Sequence, residues 1–132
     1  MENYHGKSPT VLSGSGKKKK KAADKKKKLV GRAFIATKVS KKTVRETQRT
    51  KGGKTKVKLK SANTANVLMP DGKIKKATIL SVSATPANRH YARSNIIIKG
   101  AEIVTDLGHA VVTNRVGQDG VINARLVEKQ NK

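Results

Sequence analysis

The chain is 132 residues long and carries 31 Lys and Arg against 8 Asp and Glu, a formal charge of +23 on what amounts to one domain of chain. A charge of that size raises the free energy of the compact state by self-repulsion, so a polyanionic partner is expected, and phosphate-rich nucleic acid fits best. Membrane insertion is disfavoured, because no apolar run approaches the roughly 20 residues of a spanning helix and the basic run has no interleaved apolar face. With no cysteine and no signal-peptide apolar segment after the N-terminus, a soluble intracellular protein without disulfides or thiolate metal sites is expected.

Charge and apolar content divide the chain. Residues 1–60 hold 21 basic and 3 acidic side chains and residues 61–132 hold 10 and 5, while Val, Ile, Leu and Phe number 8 in residues 1–56 and 21 in residues 57–132. Only the C-terminal part can bury a core large enough to offset chain entropy. The organisation expected is a basic, intrinsically disordered N-terminal arm over residues 1–45, a β-barrel domain over 46–128 and a tail over 129–132. In the arm, SGSGKKKKKAADKKKKLVG packs nine lysines between Gly16 and Lys28: Lys17, Lys18, Lys19, Lys20 and Lys21, then Lys25, Lys26, Lys27 and Lys28. Lysine is a hydrated point charge without a planar fork, so such a run neutralises a phosphate backbone without reading bases. Lys7 and Arg32 belong to the same cationic segment. A short helix between Ala33 and Glu46 is allowed by the sequence.

The next stretch, RTKGGKTK, places Arg49, Lys51 and Lys54 around Gly52 and Gly53, whose freedom at positive φ lets backbone N–H groups approach an anion. A flexible turn is the plainer alternative. It lacks the spacing of a nucleotide-binding P-loop. Alternation in KTKVKLK then puts Lys54, Lys56, Lys58 and Lys60 on one face, roughly 6.6 Å apart, and Thr55, Val57 and Leu59 on the other. Such a face is either solvated or meets a phosphate ribbon.

Beyond it the apolar period is two and turns recur at short intervals. Candidate strands are KTKVKLK, ANVLM, KIKKATILSV, SNIII, AEIVT, HAVVTN and VINARLV, broken by PDG, TPAN, Lys99–Gly100, DLG and VGQDG. A mainly β fold follows: a small antiparallel β-barrel or barrel-like domain, closed to protect its edges. Its densest polar cluster is TPANRHYARSNIIIKG, a predicted loop carrying Arg89, His90, Tyr91, Arg93 and Asn95. Arginine and an aromatic in a loop suit splayed bases and phosphates, although Tyr91 could equally plug the barrel end. Catalysis is disfavoured: His90 has no nucleophile or carboxylate paired with it in sequence, and Asp71, Asp106 and Asp119 occupy glycine turns, so a metal-dependent nuclease is the weakest alternative.

The blocks GRAF, TKGGKTKVKLKSANTANV and TPANRHYARSNIIIKGAEIVTDLGHAVVTNRVGQDGVINARLV together resemble the archaeal and eukaryotic small-subunit ribosomal protein family S8e, and more closely its archaeal members. The resemblance spans most of the chain. It implies a structural, non-enzymatic rRNA-binding protein located on the small subunit in the cytoplasm. Its partners would be small-subunit rRNA and neighbouring ribosomal proteins, with no cofactor, metal, membrane or small-molecule substrate. It carries Arg89, Arg93 and Arg115 over as RNA contacts. Thr85, Ser94 and Val116 depart from the family's Asn, Arg and Pro, and the arm is almost pure lysine where the family mixes in arginine. A large-subunit assembly factor shares the same C-terminal domain and is the alternative, but such factors carry a longer helical N-terminal region.

Overall fold

The computed structural model describes residues 15–18, 27–50 and 52–127. The chain divides between Phe34 and Ile35 into two units. In the first, the only regular element among the described residues is a single 3-10 turn over Lys27–Leu29, closed by Val30 N–H on Lys27 O.

Among its described residues the second unit holds nine strands and two short helices. They are β1 (Thr37–Val39), β2 (Val44–Arg49), β3 (Thr55–Ala62), β4 (Thr64–Leu68), β5 (Ile74–Ala84), α1 (Arg89–Arg93), β6 (Ile96–Ile97), β7 (Glu102–Thr105), β8 (Gly108–Val112), α2 (Val116–Asp119) and β9 (Asn123–Leu126). Strands β4, β5, β7, β8 and β9 close into a barrel, and β2, β3, β1 and β6 form a separate four-stranded sheet in that order. The barrel is a meander of antiparallel pairs closed by a parallel one, β4 with β9, whose register runs Asn66–Asn123, Val67–Ala124 and Leu68–Arg125. Parallel pairing needs a longer connection than a hairpin, and the segment through α2 supplies it.

Alternation fills the barrel. Ala65, Val67, Ala77, Ile79, Ile103, Ala110, Val112 and Ala124 are all buried. Four of these eight are alanine, as a narrow closed barrel requires where facing side chains share little room. The PDG turn joins β4 to β5 through Gly72 N–H on Met69 O.

Two features tie sheet to barrel. β3 runs into β4 across the single residue Asn63, and the chain between β5 and β7 leaves the barrel to form α1 and lay β6 beside β1. Leu59 and Ile97, buried at 1% and 0% exposure, carry the apolar seam between them. The fully buried Thr37 joins this seam by donating its hydroxyl to Leu59 O at 2.6 Å.

Three expectations need correction. Residues 33–46 form no helix; they contain β1 and the start of β2. Ordered sheet therefore begins at Thr37, inside the stretch read as arm. The reason is that β1 is only three residues long and enters the core through a hydrogen-bonded threonine. KTKVKLK is not a barrel strand but the second strand of the outer sheet. The Thr85–Gly100 loop contains a helix, because Asn88 Oδ1 accepts the His90 N–H at 2.9 Å and starts a turn there.

Candidate nucleic-acid interface

β3 presents the lysine face. Leu59 is buried, whereas Lys54, Lys56 and Lys60 are exposed and Lys58 is half-buried. Not all four ammonium groups are uncommitted. Lys56 Nζ donates to Gln118 Oε1 of α2 at 3.0 Å, and Lys60 Nζ lies 2.9 Å from Glu46 Oε2. The second contact follows from a register shift: Val44 pairs with Ser61 and Arg45 with Leu59, so Lys60 stands in a bulge and leans toward the edge strand. The hydrogen bond from Lys60 holds the Glu46 carboxyl below its ordinary value of 4.5. The charge of Lys60 adds to this, partial desolvation opposes it, and Lys58 contributes least. The ammonium groups of Lys54 and Lys58 have no hydrogen-bond or ion-pair partner among the described residues.

The β2–β3 hairpin ends in the diglycine turn. Gly52 and Gly53 have φ of 82° and 81°, with nothing within 4 Å of where a Cβ would stand. Backbone is therefore open to approach there, although Gly53 N–H is used within the turn on Thr50 O. Arg49 is exposed opposite Thr55, and Lys51 lies outside the described residues.

α2 adds Arg115 to this end of the molecule. Asp119 Oδ2 accepts Arg115 N–H and Asn114 Nδ2, each at 3.1 Å, and Asn114 Oδ1 accepts Asn123 N–H at 2.9 Å. Asp119 is thus a turn builder, as is Asp106, whose Oδ1 accepts Thr78 N–H. Gly120, at φ 68°, passes so close to β3 that a Cβ there would stand 2.5 Å from Val57 Cγ1. This contact sets α2, and Arg115 at its start, against the lysine strand.

A second group surrounds α1. Arg89, His90 and Arg93 are exposed and Tyr91 is half-buried. Asn95 has φ 51°, in the left-handed region that asparagine tolerates. Its Oδ1 accepts Val82 N–H where β5 slips register against β7, and its main-chain oxygen accepts Val39 N–H. Asn95 therefore fastens α1 to both sheets, and only its amide NH₂ stays uncommitted. Lys99 is exposed on the turn after β6.

The candidates thus fall into two clusters. One comprises β3 with the diglycine turn, Arg49 and Arg115; the other comprises α1, Asn95 and Lys99. In the outer sheet β1 separates the strand bearing the first cluster from β6, beside the second. In the N-terminal unit Lys17, Lys18, Lys27, Lys28 and Arg32 are exposed, and Lys7, Lys19, Lys20, Lys21, Lys25 and Lys26 lie outside the described residues. Arg45 and Lys76 were not singled out from sequence, since isolated cations in strands resemble any solvated face. Both line one cleft of the folded unit.

These features define a small, strongly basic β-barrel protein with cationic clusters on an appended sheet and around α1. The family model described as ribosomal protein S8e matches residues 7–127. This chain belongs to that family, which is one of ribosomal proteins and not of enzymes. It is 48% identical to the small ribosomal subunit protein eS8 of Hyperthermus butylicus, an alignment covering 100% of this chain and 97% of that one. It is 45% identical to the protein of the same name from Ignicoccus hospitalis, over 98% and 100% of the two chains. With that from Pyrobaculum neutrophilum it is 52% identical over 69% and 70%. No helix among the described residues is long and apolar enough to cross a membrane.

Proposed function

We propose that this chain is a structural constituent of the small ribosomal subunit. In this role it neutralises rRNA phosphates with its lysine-rich N-terminal segment and docks on rRNA through the outer sheet and α1. The observation that supports this most is the pair of exposed cationic clusters on one rigidly hydrogen-bonded unit, in a chain that matches small-subunit relatives over nearly their whole length. That length match also favours a subunit constituent over an assembly factor.

The two parts do different work. Lys17 to Lys28 supply charge with little geometric demand, so they govern affinity and its salt dependence. Arg89 and Arg93, on an anchored helix beside Tyr91, offer planar forks and a ring edge, so they govern which RNA surface fits. Neighbouring ribosomal proteins meet the faces that RNA leaves open, and the assembled particle is cytoplasmic.

Binding of the intact chain to a small-subunit rRNA fragment across a salt series tests this. Log affinity should fall linearly with log salt, with a slope near 0.7 to 0.9 per phosphate contacted. Deleting residues 17–28 should flatten the slope by several contacts. An unchanged slope would remove the arm from the interface.

A further inference from the structure

Lys and Arg make up 31 of the 132 residues, yet none falls in residues 77–88 or 100–114. The fold brings these two stretches together. Residues 79–84 of β5 pair with β7, and β7 pairs with β8, so three neighbouring barrel strands share an outer surface built from chain without lysine or arginine. Around the closed ring β7 stands opposite the β4–β9 seam, into which β3 and α2 lead.

The same surface is apolar. Leu80 is the extra residue of a bulge, since Ile79 pairs with Thr105 and Ser81 with Val104, and it is 62% exposed. Bulges re-aim side chains. Ile103 and Ala110 are buried in the barrel, so alternation puts Val104 and Val111 outside, each half-buried. Val104 pairs with His109, and Val127, 40% exposed, continues the row by donating its N–H to His109 O. Two carboxylates edge this patch. Glu102, paired with Val111, has no hydrogen-bond or ion-pair partner for its carboxylate among the described residues. Asp106 uses Oδ1 on Thr78 N–H and keeps Oδ2 uncommitted. Arg125 borders the patch from β9, in register with Val111.

We infer that the outer face of β5, β7 and β8 docks a basic protein segment, with Leu80, Val104 and Val111 against its apolar residues and Glu102 and Asp106 against its cations. RNA is the wrong occupant. It needs cations to displace its counterions, and the free carboxylates here repel phosphate. Solvent leaves a leucine and a row of valines unused, where the outer face of an antiparallel sheet is ordinarily polar. An apolar centre with a charged rim is the anatomy of a protein interface, and the sign of the rim selects a basic partner. A second copy of this chain fits less well, because a two-fold contact through this face would bring the carboxylates of both copies together.

This inference rests on the placement in the small subunit proposed above and names the face left to protein there. The test is photo-crosslinking in the assembled particle. The full chain is expressed in its native cells with p-benzoylphenylalanine in place of Leu80, and a control chain carries it in place of Lys54 on the lysine face. Small subunits are then purified, irradiated and digested. From position 80 the crosslink should reach a protein segment with more Lys and Arg than Asp and Glu, and from position 54 it should reach RNA. Glu102→Lys added to the position-80 chain should cut the protein crosslink about threefold or more, because like charges then meet. Incorporation into subunits and the unfolding midpoint of the free chain are checked for each variant. A crosslink from position 80 to RNA, to a second copy or to an acidic segment, no crosslink from it, or an unchanged yield in Glu102→Lys would each overturn the site. Incorporation with an RNA crosslink from position 54 would then leave the RNA-docking reading standing, whereas absence of the chain from small subunits would overturn both.

Discussion

Single residues decide how this surface is assembled, and Gly120 shows the mechanism most directly. Its φ of 68° disfavours any side chain, and a Cβ would stand 2.5 and 2.9 Å from Val57 Cγ1 and Cβ. Gly120→Ala should therefore lose about 2–4 kcal/mol in urea unfolding, the sum of left-handed strain and overpacking. Adding Val57→Ala makes room, so the double variant should be less destabilised than the sum of the singles, by about 1 kcal/mol or more. Strict additivity would mean that α2 is not seated on β3 in this way. At α1 the chemistry of the charge matters more than its amount. Replacing Arg89 and Arg93 by lysine keeps the charge and removes the fork. Non-specific RNA affinity should be largely kept, while preference for native rRNA over a scrambled competitor falls. Full retention of that preference would leave α1 as a plug between the sheets.

Within the β2–β3 hairpin, one carboxylate sits among the lysines. Glu46 occupies Lys60 at 2.9 Å and subtracts from the field of the β3 face. Glu46→Gln should raise rRNA affinity and steepen the salt slope by up to about one contact, measured in the same salt series. The pair's contribution to the folded state has a defined sign with pH. Because the folded value is depressed below 4.5, the contribution is complete above that value and disappears as pH falls through the lower one, so nothing from this group should be seen between pH 6 and 8.

The elements differ in how clearly their sequence announces them. β5, β7, β8 and β9 are legible because inward residues alternate with polar ones and glycine turns separate them. β1 and β2 are not. VRETQR has one apolar residue in six, since an edge strand half open to solvent needs no apolar face, and of TKV only Thr37 is buried, with its hydroxyl hydrogen-bonded. Closure through a parallel pair was equally hidden, because register between strands so far apart in sequence leaves no local trace. The same limit applies to the site. The lysine alternation and the arginine-rich segment could be read directly, whereas the placement of α2 on β3 and of Arg45 on Gly120 depends on contacts 62 and 75 residues apart in the chain.

At the scale of the whole molecule, +23 on 132 residues is the dominant physical fact. Self-repulsion of this size is relieved when phosphates replace diffuse counterions, so the free chain should gain stability from RNA and lose that gain as salt screens it. Family membership and the near-complete match to small-subunit relatives give the polyanion its identity under the proposed function. The most direct measurement is sedimentation of the endogenous protein through a gradient after a high-salt wash of the ribosomal fraction, with its amount quantified against a core small-subunit protein. About one copy per small subunit should remain, retained because α1 and the outer sheet are docked and not merely attracted. Release into the free pool, or a substoichiometric presence confined to immature particles, would contradict it.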